Sequence, residues 1–332
     1  MATGMRKLRI KAVIIRAFRV IVRSVAIACS LLVLPIADAS ETSGSIGVLY
    51  SGESTIHESV IAELEKRLNR ILTIGGVPRV VRYDNEQLPL NNATHSLWIT
   101  VGLNAALQTK SLERRTPLVH GLLPKLSLET FLKDVDGSTQ SVTGIHLDQP
   151  PYRLLNLIKL AIPDARDLGV VLGPSSAESL PELQKHAKRL GLTLHIEQIS
   201  DQSELIHALE RVLQKGQVLL ALPDPLIYNR FTVQKILLTT YRRRVPIVAF
   251  SAALVRAGAT LAVHSSPEQI GRHMAEEAAS LLRTPDNGRF RIQAPRYYSV
   301  SVNRQVARSL GLNIGEAEEL LNSMLELEKQ HQ

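Results

Sequence analysis

Short apolar runs rich in Val, Ile and Leu alternate with amphipathic helical patterns along this chain of 332 residues, from residue 45 onward. Ile46-Gly47-Val48-Leu49-Tyr50 is typical of a buried strand, and the segment after it places apolar residues at helical spacing, namely Val60, Leu64, Leu68 and Leu72. Strands that are separated by helices form βαβ units, and helices then cover both faces of a parallel sheet. The alternation therefore predicts an α/β fold.

The alternation occurs in two consecutive blocks of similar size, which predicts two lobes, each with its own parallel sheet. The first block contains further predicted strands over Val77–Tyr83, Leu97–Val101 and Pro117–Gly121. The second block contains predicted strands over Asp167–Leu172, Leu192–Ile199, Gln217–Leu222 and Val245–Phe250. Between the blocks, residues 125–142 have weaker periodicity and include Asp136-Gly137-Ser138, so we predict a surface excursion there.

The N-terminus has the order of a secretory signal peptide, which we predict over residues 1–39. A basic stretch precedes the apolar run Ser24–Ile36, and the small residues of Ala37-Asp38-Ala39 follow it. Two alternatives stay open: an uncleaved membrane anchor, or a lipidated N-terminus at Cys29, the only cysteine. We expect membrane contact only through such a retained N-terminus and expect the rest of the chain in the periplasm.

Most of the basic charge belongs to this N-terminal segment. The formal net charge is +8, and residues 1–39 contribute +6 of it, which leaves +2 for the remainder. Aromatic residues make up only 4% of the chain, too few for a surface on which bases stack. The sequence therefore disfavours a nucleic-acid partner.

Signatures of common enzymes are absent from the sequence. It contains no G-x-G-x-x-G after a strand, no G-x-x-x-x-G-K-[ST], no H-E-x-x-H and no G-x-S-x-G. The histidines show no metal-ligand spacing. We therefore expect neither a catalytic site, nor a metal, nor a cofactor, and the sequence favours a binding protein over an enzyme.

Polar residues, glycines and one carboxylate follow the predicted strands, and open α/β sheets bind ligands at this edge. These residues are Ser51 with Gly52, Gly102 with Asn104, Asp224, and Ser251. Helix starts after such turns expose N–H groups that suit a carboxylate, and an opposing acidic side chain suits an amine. We therefore predict a ligand cleft between the two lobes.

A series of short strings, in the same order, resembles the substrate-binding components of ABC transporters, in particular the group that binds tryptophan or tyrosine. None of the strings is specific alone, but their order extends over residues 45–312. They are Ile46–Ser51, Val101–Ala106, Val142–Ile145, Ile162–Ala165, Leu168–Val171, Pro223-Asp224, Val245–Ile247, Val255–Ala259, Ile270–Arg272 and Ser301–Ala307.

The resemblance implies a type I periplasmic-binding fold, in which two Rossmann-like lobes close on a ligand like a hinge. Lobe one is expected over 45–145 plus 265–285, lobe two over 148–262, and the final strand and C-terminal helix, 286–332, on the hinge side. Ligand contacts are expected from lobe one at Ser51, Gly52, Gly102, Asn104 and Ala105. Asp224 and Ser251 are expected to contact ligand from lobe two.

One loop departs from the family pattern. The family usually places Asn or Thr directly after the aspartate, whereas here Pro225-Leu226-Ile227-Tyr228 separate Asp224 from Asn229. This longer, more apolar loop places Tyr228 and Asn229 among the predicted ligand contacts.

The predicted function is capture of a small molecule, such as an amino acid or an aromatic compound, for an ABC-type importer. The implied partner is an inner-membrane ABC permease, and the protein is expected to act as a monomer. The alternative is a periplasmic sensor that passes a signal to a receptor or kinase, because sensing requires the same cleft.

Overall fold

Buried strands with helices between them make up most of the chain, as the alternation predicts. The computed structural model describes residues 44–52, 54–72, 78–84, 95–111, 116–133, 141–284 and 290–330. The predicted signal peptide and Cys29 lie outside these residues. In the described part, no helix has both the length and the apolar character needed to cross a membrane.

Two six-stranded sheets confirm the predicted α/β architecture. Sheet 1 has the spatial order β11-β5-β4-β3-β1-β2, and every neighbouring pair in it is parallel. Its strands are β1 (Ile46–Tyr50), β2 (Val80–Asp84), β3 (Leu97–Val101), β4 (Leu118–Leu123), β5 (Val142–His146) and β11 (Phe290–Gln293).

Sheet 2 has the order β12-β10-β9-β8-β6-β7 and is parallel except for the pair β10–β12. Its strands are β6 (Asp167–Leu172), β7 (Thr193–Gln198), β8 (Val218–Leu220), β9 (Ile247–Ala249), β10 (Leu261–His264) and β12 (Ser299–Val302). Each sheet has a hydrophobic cluster on both of its faces, because the connecting helices pack on either side.

The helices lie between the strands and after the last of them. They are α1 (Thr55–Ile71), α2 (Leu103–Gln108), α3 (Lys125–Lys133), α4 (Pro151–Ala161), α5 (Leu180–Arg189), α6 (Leu205–Val212), α7 (Val233–Arg242), α8 (Ala252–Ala257), α9 (Pro267–Arg283), α10 (Arg304–Ser309) and α11 (Ala317–Lys329). Helix α9 begins with a capping box, in which Ser266 and Gln269 each bond the other's backbone N–H. Helix α9 packs closely on α1, since a Cβ at Gly271 would overlap the carbonyl oxygen of Val60.

The chain passes between the two sheets three times within the described residues. It leaves sheet 1 after β5 through residues 147–150, returns after β10 through Ser265 and Ser266 to α9, and leaves again between β11 and β12 through residues 294–298. Hydrogen bonds between these three segments show that they are adjacent. Within the described residues no other segment connects the two sheets, so a movement of one sheet relative to the other must bend these three.

The predicted surface excursion over residues 125–142 is wrong for residues 125–133, and residues 134–140 lie outside the described residues. Residues 125–133 form α3, which buries Leu128, Phe131 and Leu132, and Val142 begins the buried strand β5. Helix α3 packs directly on β5, because a Cβ at Gly144 would lie 2.5 Å from Leu128. The helix is short, and part of its N-terminal capping comes from a residue distant in sequence. The local sequence therefore gives only a weak signal for a helix.

His120 of β4 is completely buried beneath α3. Its Nδ1 lies 2.6 Å from Thr100 Oγ1, and its ring meets the Phe131 ring edge to face at 5.0 Å between centroids. Its Nε2 has no partner among the described residues. Burial lowers the pKa of His120 to about 3 from its ordinary value of 6.5, so the folded protein holds this ring neutral.

Acid is therefore expected to destabilise the protein through His120. Because the pKa is lower in the folded state, the stabilisation is complete above about pH 6.5 and is lost as the pH falls towards 3. When the pH falls from 6.5 to 4.5, the free energy of unfolding should therefore decrease by roughly 2–3 kcal/mol because of His120 alone. Urea titrations across this range should show a shallower pH dependence for His120→Leu than for the wild type. The assignment would be contradicted if the stability of His120→Leu had the same pH dependence as the wild type. It would also be contradicted if His207→Leu, at an exposed histidine, altered the pH dependence as much as His120→Leu does.

Candidate ligand-binding site

A cavity of about 430 Å³ lies between the carboxyl ends of strands from both sheets. The loops that follow β4 and β5 form one side, and those that follow β6, β8 and β9 form the other. Most of the lining comes from residues 124–127, 148–151, 175–176 and 222–225. Strand ends at this edge are where an open α/β sheet binds ligands.

Asp224 follows β8 and is buried, with 3% of its surface exposed. Its Oδ2 accepts hydrogen bonds from the backbone N–H and the hydroxyl of Ser176, both at 2.9 Å. Its Oδ1 accepts one from the backbone N–H of Leu226 at 2.9 Å. The carboxylate thus joins the loop after β6 to the loop after β8. Gly173 is required beside it, since a Cβ there would lie 2.7 Å from both carboxylate oxygens.

Two aromatic rings form an apolar wall on the same side of the cavity. Tyr228 and Phe250 meet edge to face, with 5.5 Å between ring centroids and 72° between planes. Burial, with the nearby charge of Asp224, raises the pKa of the Tyr228 phenol above its usual range. The hydroxyl therefore keeps its proton and is available as a hydrogen-bond donor.

The opposite wall is the start of α3 together with the end of β5. The Oδ2 of Asp148 accepts a hydrogen bond from the backbone N–H of Lys125 at 2.5 Å and so caps the first turn of α3. Burial raises the pKa of the Asp148 carboxyl, while this hydrogen bond opposes the shift. His146 lines the cavity beside it and is only 6% exposed.

The Nδ1 of His146 is buried and has no hydrogen-bond partner among the described residues. Burial lowers the pKa of His146 to about 4, and the positive charge of Lys125 adds to this effect. The imidazole is therefore neutral at neutral pH, and one of its ring nitrogens carries a lone pair that can accept a hydrogen bond. An unpartnered buried polar atom is costly, so this nitrogen is a candidate ligand contact.

Hydrogen bonds join the crossing segments directly behind the cavity. Gln149, which lines the cavity, donates from Nε2 to Ser265 Oγ at 2.9 Å. Ser265 Oγ in turn donates to the carbonyl oxygen of Tyr297 at 2.6 Å. Each of the three residues lies in a different crossing segment, so the cavity is adjacent to the region that any hinge motion must bend.

Arg153 of α4 holds the same region from the side of sheet 2. Its Nη1 donates to Gln149 Oε1 at 2.9 Å and to the carbonyl oxygen of Pro295 at 2.7 Å. Its Nε donates to Oε1 of Glu328 in α11 at 2.6 Å. The guanidinium also lies over the ring of Tyr298, 4.0 Å from its centroid. Arg153 therefore connects two crossing segments with the C-terminal helix.

Comparison with known families identifies the type of protein. The sequence profile of the ABC transporter substrate binding protein family matches residues 90–326. The chain belongs to that family. No curated protein matches the chain.

Solved structures of low sequence identity share the fold of this substrate-binding protein. A ligand-free, open substrate-binding protein with adhesive properties from Clostridium difficile has a TM-score of 0.67 at 16% identity, covering 83% of this chain and 97% of its own. An ABC domain in complex with L-Trp from Streptococcus pneumoniae has a TM-score of 0.56 at 16% identity, with coverages of 84% and 97%. A conserved domain protein from Vibrio cholerae has a TM-score of 0.56 at 19% identity, with coverages of 84% and 98%.

Two of the predicted ligand contacts of this substrate-binding protein, Asp224 and Tyr228, line the cavity. Tyr228 also borders an open groove of about 620 Å³ together with Asn229 and Ser251. The Asn229 side chain closes its own loop, accepting from Phe231 N–H at 2.9 Å. The Ser251 Oγ accepts from the backbone N–H of Leu254 at 3.3 Å and caps α8. Ligand contact by Asn229 and Ser251 stays a prediction.

The contacts predicted from the first lobe lie elsewhere along the same edge of sheet 1. Ser51 and Gly52 follow β1, and Gly102 precedes α2, where Asn104 is exposed and Ala105 is buried. Strand β3 lies beside β4 and β1 lies beyond β3, whereas the cavity adjoins β4 and β5. Ligand contact by these five residues therefore stays a prediction.

Several lining residues that follow β4, β5 and β6, or that end β5, were not predicted from the sequence. Lys125, His146, Asp148 and Ser176 are the polar members of this group that carry the geometry described above. The strand-end rule that selected Asp224 applies equally to them. Strand β5 is not among the predicted strands, and Ser176 lies four positions beyond the end of the predicted strand Asp167–Leu172. The described residues contain no group of three or more His, Cys, Asp or Glu side chains that could hold a metal ion.

Proposed function

We propose that this chain is the solute-binding component of an ABC importer and captures a small molecule in the cavity between its two sheets. The observation that carries the proposal is the cavity itself, which strand ends of both sheets line. It adjoins the crossing segments 147–150 and 294–298, and the third segment is hydrogen-bonded to its lining residue Gln149 through Ser265. A site built in this way changes shape when the sheets move together, so ligand binding and hinge closure are coupled.

The same arrangement supports a division into two lobes. We propose that sheet 1, with α9 returning to it, is the core of lobe one, and that sheet 2 is the core of lobe two. Closure would bring the ends of β1 and β3 towards the solute, which is how Ser51, Gly52, Gly102, Asn104 and Ala105 would join the site. Asn229 and Ser251 would approach it from the groove beside Tyr228.

The family and the N-terminal sequence support a location and a partner. Residues 1–39 would export the chain to the periplasm, and the closed, loaded form would dock on an inner-membrane permease. The solute-binding component would act as a monomer, without cofactor, metal or nucleic acid. The small net charge of the exported part, +2, agrees with a soluble carrier and gives no reason for a nucleic-acid partner.

Solute binding should raise the thermal stability of the protein. A ligand at 100 times its Kd adds about 2.7 kcal/mol to the free energy of unfolding, which for a chain of this size raises the Tm by several degrees. A thermal-shift screen of amino acids, amines, aromatic acids and nucleosides is expected to find at least one stabilising solute.

The control is a pair of serine-to-tryptophan variants. Ser175 lines the cavity, so Ser175→Trp should fill it and remove the stabilisation. Ser280 is exposed on α9 and away from the cavity, so Ser280→Trp should retain it. An equal response in both variants would show that solutes bind elsewhere, and a screen without any stabilising solute would count against the proposed function.

A further inference from the structure

The charge of the cavity lining restricts which solute it can hold, an inference that rests on the proposed function. Carboxylates in the lining outnumber ammonium groups by five to one: Lys125 is the single lysine, no arginine lies among the described lining residues, and the acids are Glu129, Asp148, Glu178, Glu182 and Asp224. Lys125 is itself near an acid, with its Nζ 3.9 Å from Glu129 Oε1. A cleft lined by one sign of charge concentrates ions of the opposite sign.

The helix starts that face the cavity already carry acids or prolines of the chain itself. Asp148 binds the first N–H of α3, and Asp224 binds the N–H of Ser176 in the turn after β6. Helix α4 begins at Pro151 with Pro150 as its N-cap residue, and neither proline has an N–H. A solute carboxylate placed at the Lys125 N–H or the Ser176 N–H would meet an existing negative charge, and one placed at Pro150 or Pro151 would find no donor.

A buried group that lacks a partner gives independent evidence for a ligand. His146 is 6% exposed, lines the cavity and has an unpartnered Nδ1. Because burial keeps its imidazole neutral, with a pKa of about 4, the ring can accept a hydrogen bond from an N–H donor. An ammonium group is such a donor and is attracted by the surrounding carboxylates.

The remaining lining suits an apolar body. Leu126, Leu222, Tyr228 and Phe250 line the cavity together with several prolines. Aromatic rings also bind cations through their faces. The cavity therefore combines an acidic environment, an acceptor nitrogen and an apolar wall within a volume of about 430 Å³.

We propose that the solute is a small organic amine, positively charged, with an apolar body and no free carboxylate. The ammonium group lies among the carboxylates and donates a hydrogen bond to His146, and the apolar body packs on Tyr228 and Phe250. An amino acid or an organic acid of the same shape binds more weakly, because its carboxylate has no free counter-charge in this lining.

Matched solutes test the proposal by isothermal titration calorimetry on the wild-type protein after solute removal. Phenethylamine, phenylalanine and 3-phenylpropionate share one body; tryptamine, tryptophan and 3-indolepropionate share another; pentylamine, norleucine and hexanoate share a third. In every set that binds, the amine is expected to have a Kd at least tenfold below that of the other two. An amino acid or acid that binds as tightly as its amine overturns the proposal.

Charge variants at one place should change amine affinity in opposite directions. Glu129→Gln removes an acid and frees Lys125, so the Kd of the amine should rise roughly threefold or more. Lys125→Gln removes the cation, so the Kd should fall by a similar factor. Glu210→Gln, on the exposed face of α6, removes the same charge away from the cavity and should leave the Kd unchanged. Equal effects of Glu129→Gln and Glu210→Gln overturn the placement.

The solute that the protein retains on native purification separates failure of this inference from failure of the proposed function. A retained amine without a carboxylate supports both. A retained amino acid or organic anion overturns the amine inference and leaves solute capture standing. If the protein retains no solute and no compound of the sets or of the thermal-shift screen binds, both are overturned.

Discussion

Asp224→Asn should lower the free energy of unfolding by about 2–4 kcal/mol and abolish solute retention. The carboxylate accepts from two backbone N–H groups and one hydroxyl, through both of its oxygens. An asparagine of nearly equal volume replaces one of these oxygens with an NH2 group, which cannot accept from Ser176 or Leu226. At least one buried N–H then loses its partner, and the two loops that Asp224 joins separate at the cavity.

Urea denaturation and a solute Kd measured on the same sample check this prediction. Asp164→Asn is the matched control, because Asp164 is exposed and distant from the cavity. It should leave both quantities unchanged. A variant at Asp224 as stable as the wild type would show that the three hydrogen bonds do not hold the loops. A stable variant that still retains solute would remove Asp224 from the site.

Arg153→Met should cost about 3–5 kcal/mol of stability, the range expected when one partner of a buried ion pair is removed. Arg153 is 5% exposed, and its loss leaves Glu328, Gln149 Oε1 and the Pro295 carbonyl without their shared donor. Methionine fills much of the same volume, so the effect reports on the polar contacts more than on a void. Arg189→Met, at the exposed end of α5, should change stability by less than about 0.5 kcal/mol.

Hydrogen exchange should locate the effect of Arg153→Met in the crossing segments. Protection at residues 147–150 and 294–298 should fall, while the strands of sheet 1 keep theirs. A double-mutant cycle with Glu328→Gln should show coupling above about 1 kcal/mol, because the two side chains are in direct contact. Additive effects would contradict the role of Arg153 as a link between α4, the crossing segments and α11.

The strands were predictable where burial on both faces produces a continuous apolar run. Ile46–Tyr50 and Leu97–Val101 are found as predicted, because parallel strands under two layers of helix need no polar face. Strand β5 was not predicted, since Val142-Thr143-Gly144-Ile145-His146 contains a glycine and two polar residues. Its glycine is explained only by the close approach of α3, which sequence alone does not show.

The site was only partly predictable, because it depends on hydrogen bonds between distant residues. Asp224 was recognisable as an acid at a strand end, but its partner Ser176 lies 48 positions away. Asp148 accepts from the first backbone N–H of α3 across 23 positions, a contact that the weak periodicity of this segment does not reveal. The register of the sheets brings these loops together, and the order of strands in a sheet cannot be read from any single segment.

The identity of the bound solute tests the central claim most directly. Native mass spectrometry on protein purified without denaturation, before and after an unfolding and refolding step, measures whether the chain carries a small molecule. We predict a single adduct that is lost on refolding, is absent from Asp224→Asn and Ser175→Trp, and is present in Asp164→Asn and Ser280→Trp. An adduct that both cavity variants retain would contradict binding in the cavity. The absence of any adduct, together with a thermal-shift screen in which no compound stabilises the protein, would contradict solute capture itself.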